Sequence, residues 1–208
     1  TLQQSSAASD VYKRQIMFSV TSYTQPVQYF SFDFTNNSLE LLWEEAIPRF
    51  NPNDYTEVST NYESKDGTMV PITYSYKSST KLNKDTPIFL YAYGGYNISI
   101  RPSFTPKYVA WLEMGGVLAV ANIRGGGEFG KAWHNAGRLG KKQNVFDDFL
   151  YASKFLESND IGNRKSTVIS GRSNGGLLVG ATLIQNPNYF VAALPAVGVM
   201  DMIRFTEF

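Results

Sequence analysis

Thr167-Val168-Ile169-Ser170-Gly171-Arg172-Ser173-Asn174-Gly175-Gly176-Leu177-Leu178 is the stretch whose reading decides the fold. Thr167 to Ser170 reads as a strand and Asn174 to Gln185 as a helix, so Gly171-Arg172-Ser173-Asn174-Gly175, a match to G-x-S-x-G, falls on the turn between them. In that setting the pattern describes a nucleophile elbow. A serine is thrust out on a sharp turn at the carboxyl end of a strand, and glycines on either side leave room for so tight a bend. Ser173 is the candidate nucleophile, and the N–H of Asn174, first in the helix, is placed to stabilise an oxyanion. The plainer alternative is a glycine-rich turn in which Ser173 only caps a helix.

The segments around the elbow repeat its alternation. Ile88 to Tyr93 is a continuous apolar run ending in Gly94-Gly95, as expected of a strand buried on both faces. Thr105 as cap, Pro106 at the first position and Gly115 at the close frame a helix. Val117 to Ile123 is another buried strand, a helix capped by Asn144 follows with Asp147 and Asp148 near its positive end, and Val191 to Val197 is the last strand. Strands alternating with helices predict an α/β fold with a parallel sheet covered on both faces.

Upstream the pattern is antiparallel. Phe30, Phe32 and Phe34 recur with a period of two, Thr35 to Ser38 forms a turn, and Leu39 to Trp43 returns. Ala46 to Asp54, with Pro48 and Pro52, reads as a linker, which sets a boundary near residue 50. Beyond it, Tyr55 to Ser64 and Met69 to Lys77 form a hairpin around Asp66-Gly67.

Composition narrows the chemistry. The chain has 208 residues, no cysteine and one histidine, His134, which removes disulfides, cysteine nucleophiles and any metal site needing two histidines. With 19 basic and 18 acidic residues, it carries no electrostatic footprint for nucleic acid or an anionic membrane. The most apolar run, around Val117 to Ala121, is far short of the roughly 20 residues of a membrane span. Of 17 glycines only Gly67 precedes Gly94, so the chain has two compositional halves. Residues 1 to 15 are polar and lack an initiating Met, and Ala7 to Gln15 resembles a translated linker. They are expected to be a non-native or disordered leader, with the natural N-terminus missing.

From about Tyr55 onward the chain resembles the prolyl oligopeptidase family of serine peptidases. The resemblance rests on Leu90-Tyr91-Ala92-Tyr93-Gly94-Gly95-Tyr96-Asn97-Ile98-Ser99, on Gly115 to Glu128 with Asn122-Ile123-Arg124-Gly125-Gly126-Gly127, on Ser173-Asn174-Gly175-Gly176, and on Val197-Gly198-Val199-Met200-Asp201-Met202, in the family's order and spacing. It implies a partial α/β-hydrolase fold over residues 51 to 208, preceded at residues 16 to 50 by the last antiparallel strands of a β-propeller that admits only short peptides. It also implies a second oxyanion donor, the Tyr93 hydroxyl, and a place for Tyr96 in the proline pocket, where the family usually has Phe. Asn after the nucleophile resembles the prolyl endopeptidase branch, whereas the oligopeptidase B branch usually has Ala. The implied activity is cleavage of short proline-containing peptides on the carboxyl side of proline through an acyl-enzyme, without metal or organic cofactor. A monomer in the cytoplasm is the expected form. Arg172 departs from the family's usual Gly and is accommodated only if it points outward. The alternatives are a related serine hydrolase, such as oligopeptidase B, an aminoacyl peptidase or an esterase, and a non-catalytic propeller-type binding module.

Three other features invite a role and are better read as structure. Gly125-x-Gly127-x-x-Gly130 formally fits a dinucleotide loop, but Gly137 and Gly140 are expected to keep the chain irregular up to Asn144, and Glu128 adds repulsive charge. The reading here is a structured loop at the edge of the site, with Arg124 and Glu128 pairing locally. His134 precedes Ser173, whereas α/β hydrolases run nucleophile, acid, histidine. Asp201, soon after Ser173, is assigned a structural or pocket-shaping role. The triad acid and base are therefore expected beyond Phe208, and this chain alone is expected to be inactive.

Overall fold

The computed structural model describes residues 3–10 and 14–207 as two sheets with helices on the second. The first sheet is a four-stranded antiparallel meander of β1 (Gln3–Asp10), β2 (Gln15–Thr21), β3 (Gln28–Asp33) and β4 (Ser38–Glu44). Its pairs follow from alternation: Phe30 stacks on Phe18 across β2 and β3, with ring centroids 5.7 Å apart. Gln3–Asp10, set apart above as leader, is instead paired with β2 and bulged between Gln4 and Ala7. An edge strand needs only its backbone hydrogen bonds, which polar residues supply as well as apolar ones.

The second sheet contains β5 (Tyr55–Glu63), β6 (Met69–Lys77), β7 (Ile88–Tyr91), β8 (Val117–Ala121), β9 (Thr167–Arg172) and β10 (Ala192–Ala196). In space the order is β10-β9-β7-β8-β6-β5, with the hairpin β5–β6 antiparallel and the other four strands mutually parallel. Parallel strands need crossovers. They are α1 (Pro106–Glu113) between β7 and β8, α2 (Gly130–Asn135) and α3 (Gln143–Ser158) between β8 and β9, and α4 (Asn174–Gln185) between β9 and β10. The chain steps from β7 to β8 on one side and then to β9 on the other, so the winding reverses beside β7. The crevice above the carboxyl ends of strands at such a reversal is where open α/β sheets bind ligands.

β8 shows how sequence builds both faces. All five of its residues are buried, and their alternation sends Val117, Ala119 and Ala121 to one face and Leu118 and Val120 to the other. The first face packs on α3 and α4 through Val145, Phe149, Leu156, Leu178 and Val179. The opposite face packs on α1 through Leu112 and on Tyr23, from the turn between β2 and β3. Tyr23 N–H donates to Glu57 Oε2 at 3.2 Å, Phe104 N–H to Thr21 Oγ1 at 3.3 Å, and Phe50 stacks on Tyr55. The first two contacts join the β2–β3 turn to the α/β part of the chain, and the third holds the connecting segment on β5.

Three local expectations are corrected. α3 starts at Gln143 after Lys142, and the Asn144 side chain, instead of capping it, donates to Ala136 O at 2.9 Å. The loop after Gly130 is not irregular: it holds α2, closed by Gly125 N–H to Trp133 O at 3.1 Å and Trp133 Nε1–H to Ile123 O at 3.1 Å. Arg124 does not pair with Glu128. Its guanidinium, 4% exposed, lies between Asp148, fully buried in α3, and Asp66 at the hairpin turn, with Nη2 2.6 Å from Asp148 Oδ1. Asp148 is thus a buried counter-ion, while Glu128 accepts from Ile100 N–H at 2.9 Å and Asn122 Nδ2 at 3.1 Å. A buried guanidinium demands the carboxylate it can reach in two-point fashion, and the turn of α3 provides it.

Candidate active site

Ser173 is the bend between β9 and α4. Its backbone sits at φ 57°, ψ −119°, a strained region that costs on the order of 1–3 kcal/mol and persists only where the surroundings fix it. Here Ser173 N–H donates to Ala196 O at 2.9 Å, and Ser173 O accepts from Gly176 N–H at 2.8 Å and Leu177 N–H at 3.2 Å. The flanking glycines are demanded by packing. A Cβ on Gly175 would lie 2.9 Å from Ala92 O, and one on Gly171 would strike Gly175 O. The serine itself is exposed, as is Arg172, which is not among the residues that line the cavity in front of Ser173.

That cavity, of about 610 Å³, brings together Ser173 and Asn174 from the elbow, Gly95 and Tyr96 from beyond β7, and His134, Arg138 and Lys142 from the glycine-rich loop. Val199, Met202 and Phe205 close one side. The loop expected at the edge of the site is therefore part of its wall. His134, Arg138 and Lys142 line the cavity, and among the described residues no carboxylate does.

Asn174 is buried at the first position of α4. Its Nδ2 donates to Tyr93 O at 2.6 Å and its Oδ1 accepts from Lys142 Nζ at 3.1 Å. The N–H groups of a helix's first turn have no acceptor within the helix, so the positive end of α4 faces Ser173. Such an end favours an anion beside the serine oxygen. Tyr93 lies just past β7, its ring Cδ2 within 3.6 Å of where a Gly175 Cβ would stand. Tyr96 is 67% exposed, at φ 54°, on the cavity's rim.

His134 lines the cavity without a hydrogen bond to Ser173. Its Nδ1 is 2.7 Å from Gly125 O and 3.1 Å from Asn97 N. One nitrogen cannot both donate and accept, so the proton belongs on Nδ1 for the shorter contact, and Asn97 N–H turns to Gly125 O at 3.3 Å. That geometry ties two loops together. Asp201 is spent on Arg204, whose Nε donates to Oδ2 at 2.7 Å, and it holds the turn that carries Val199 and Met202. Among the described residues no cluster of three His, Cys, Asp or Glu could hold a metal, and no helix is long and apolar enough to cross a membrane.

Sequence reasoning missed Lys142. Beside Lys141 it reads as part of a solvated basic run, yet its ammonium turns inward to Gly94 O at 3.0 Å, and burial pushes its pKa down. Only its position between the loop and the apolar face of α3 could have signalled this.

Residues 102–208 match the family model of the prolyl oligopeptidase family. The chain is 42% identical over 196 residues to a prolyl endopeptidase of Elizabethkingia meningoseptica, covering 94% of this chain and 28% of that protein. It is 39% identical over 203 residues to a prolyl endopeptidase of Dictyostelium discoideum, covering 96% and 27% respectively. It thus spans under a third of the length of these relatives. A structure from a study of two prolyl endopeptidases superposes with a TM-score of 0.93 at 40% identity, covering all of this chain and 30% of that one. Prolyl oligopeptidase B of Galerina marginata, bound to a 25mer macrocyclization substrate, gives a TM-score of 0.91 at 35% identity, over 98% of this chain and 29% of that one.

Proposed function

This chain belongs to the prolyl oligopeptidase family, and from that premise we propose that it carries the nucleophile half of a serine peptidase that cleaves short peptides after proline. The observation that carries the reading is the strained Ser173 at the carboxyl end of β9, opening on a cavity at the winding reversal. In this reading Ser173 Oγ attacks the carbonyl carbon of the proline residue, the C–N bond to the next residue breaks, and that residue leaves as the amine while the proline-ending part stays on Ser173 as an acyl-enzyme. The Asn174 N–H and the Tyr93 hydroxyl hold the developing oxyanion, and Tyr96 with Val199 borders the proline side chain. In this reading neither His134 nor Asp201 serves as the triad's base or acid, since His134 makes no hydrogen bond to Ser173 and Asp201 is bonded to Arg204.

The antiparallel meander, residues 16 to 50 with its outer strand, is read as the end of a propeller that filters substrates by size. No metal or organic cofactor takes part, and the reading has the enzyme act as a cytoplasmic monomer. Turnover of a blocked Gly-Pro amide by the full-length protein, against the matching Gly-Ala amide, tests the proposal. A proline preference above about 100-fold, some 2.7 kcal/mol, is expected. Equal turnover of the two would point to a broader serine hydrolase, and turnover of neither to a non-catalytic module.

A further inference from the structure

Lys142 immediately precedes α3, with its stem partly buried and its ammonium on two neutral acceptors, Gly94 O at 3.0 Å and Asn174 Oδ1 at 3.1 Å. No ion pair to Lys142 is formed among the described residues. A cation that gives up water without a counter-ion is unfavourable and is kept where its donors organise something. A lysine offers only donors, so Asn174 must turn Oδ1 toward it, which leaves Nδ2 for Tyr93 O at 2.6 Å. The chain of contacts Gly94 O, Lys142, Asn174, Tyr93 O returns to adjacent residues. It joins the segment beyond β7 to the first residue of α4.

We propose that Lys142 is a positioning residue that sets the distance between the two oxyanion donors, by fixing the Asn174 amide against the Tyr93-Gly94 backbone. The proposal rests on the reading of Ser173, Asn174 and Tyr93 given above. Lys142 touches no reacting atom and acts through Asn174.

The test uses the full-length protein and a short blocked proline amide. Lys142→Met retains the stem and removes every donor. It is expected to lower kcat about tenfold with KM within about twofold, the scale of one charge-assisted hydrogen bond. Lys142→Arg, which can still donate to both acceptors, should recover most of that loss. Tyr93→Phe combined with Lys142→Met should lose less than the product of the single effects, because the spacing that Lys142 sets matters less once one of the two donors is gone. An unchanged kcat, a loss confined to KM, or strict multiplicativity in the double variant overturns the proposal. If Lys142→Met does not fold, Lys142→Gln is read by the same split. Full turnover by Ser173→Ala or by Tyr93→Phe would instead sink the underlying reading, whatever Lys142 does.

Discussion

The Asn174 side chain donates to the Tyr93 main-chain carbonyl across 2.6 Å, tying the start of α4 to the end of the strand segment that precedes Gly94-Gly95. This bond couples two motifs 81 residues apart in sequence, and it leaves no room beside it. A Cβ on Gly95 would lie 2.5 Å from Asn174 Nδ2.

Gly95→Ala should therefore force the amide off Tyr93 O. The expected loss is about 1–3 kcal/mol of stability from overpacking, read as a lower denaturant midpoint, together with a fall in turnover. Gly140→Ala, at a position where a Cβ meets nothing within 4 Å, is the control and should change neither.

Tyr93→Phe removes one hydroxyl and leaves the backbone acceptor in place. If that hydroxyl holds the oxyanion, kcat for a short proline amide falls by about 10²–10³, or roughly 3–4 kcal/mol, with a nearly unchanged melting temperature. Steady-state kinetics alongside calorimetry separates this from a packing defect, which would lower both.

The buried Arg124 bridges Asp148 and the hairpin turn, and Gly125 beside it carries the carbonyl that holds His134. Asp148→Asn leaves that guanidinium short of its fully buried counter-ion. A loss of about 3–5 kcal/mol is expected in urea unfolding. Replacing both partners at once, with Arg124→Met and Asp148→Leu, should recover much of it, since a packed apolar pair avoids the desolvation penalty.

Asp66 gives a pH signature. Its hydrogen bonds from Arg124 hold its carboxyl down from 3.8 to about 2. A depressed carboxyl stabilises the fold at pH values above its unfolded pKa, and the contribution fades as pH falls from about 4 through about 2. The side chain is 47% exposed, so solvent screening keeps the effect to about 1 kcal/mol or less. Unfolding midpoints measured from pH 5 to 2 should fall less steeply for Asp66→Asn than for the parent chain, and parallel curves would contradict the assignment.

The elbow, the strand-helix alternation and the hairpin were legible because each has a local cause: glycine where a Cβ cannot fit, apolar runs of strand length, Asp-Gly at a turn. What escaped was set by contacts between distant segments. Nothing near Arg124 announces that Asp148 lies within reach, since only the docking of α3 brings it there. Lys142 likewise looks solvated in sequence and turns inward because two carbonyl-type acceptors converge on it. The glycine-rich loop read as irregular, yet Trp133 folds α2 back onto Ile123 and Gly125. Gln3–Asp10 is largely polar, and composition says little about backbone pairing at an edge.

The central claim is that Ser173 is the acylated nucleophile. The direct measurement is mass spectrometry of the full-length protein after reaction with a blocked Gly-Pro aryl phosphonate. Trypsin releases the segment from Ser173 to Arg204, in which Ser173 is the only serine. The account predicts a single adduct on that peptide, fragmenting to Ser173 and absent from Ser173→Ala. An adduct on any other residue, or continued labelling of Ser173→Ala, would contradict it.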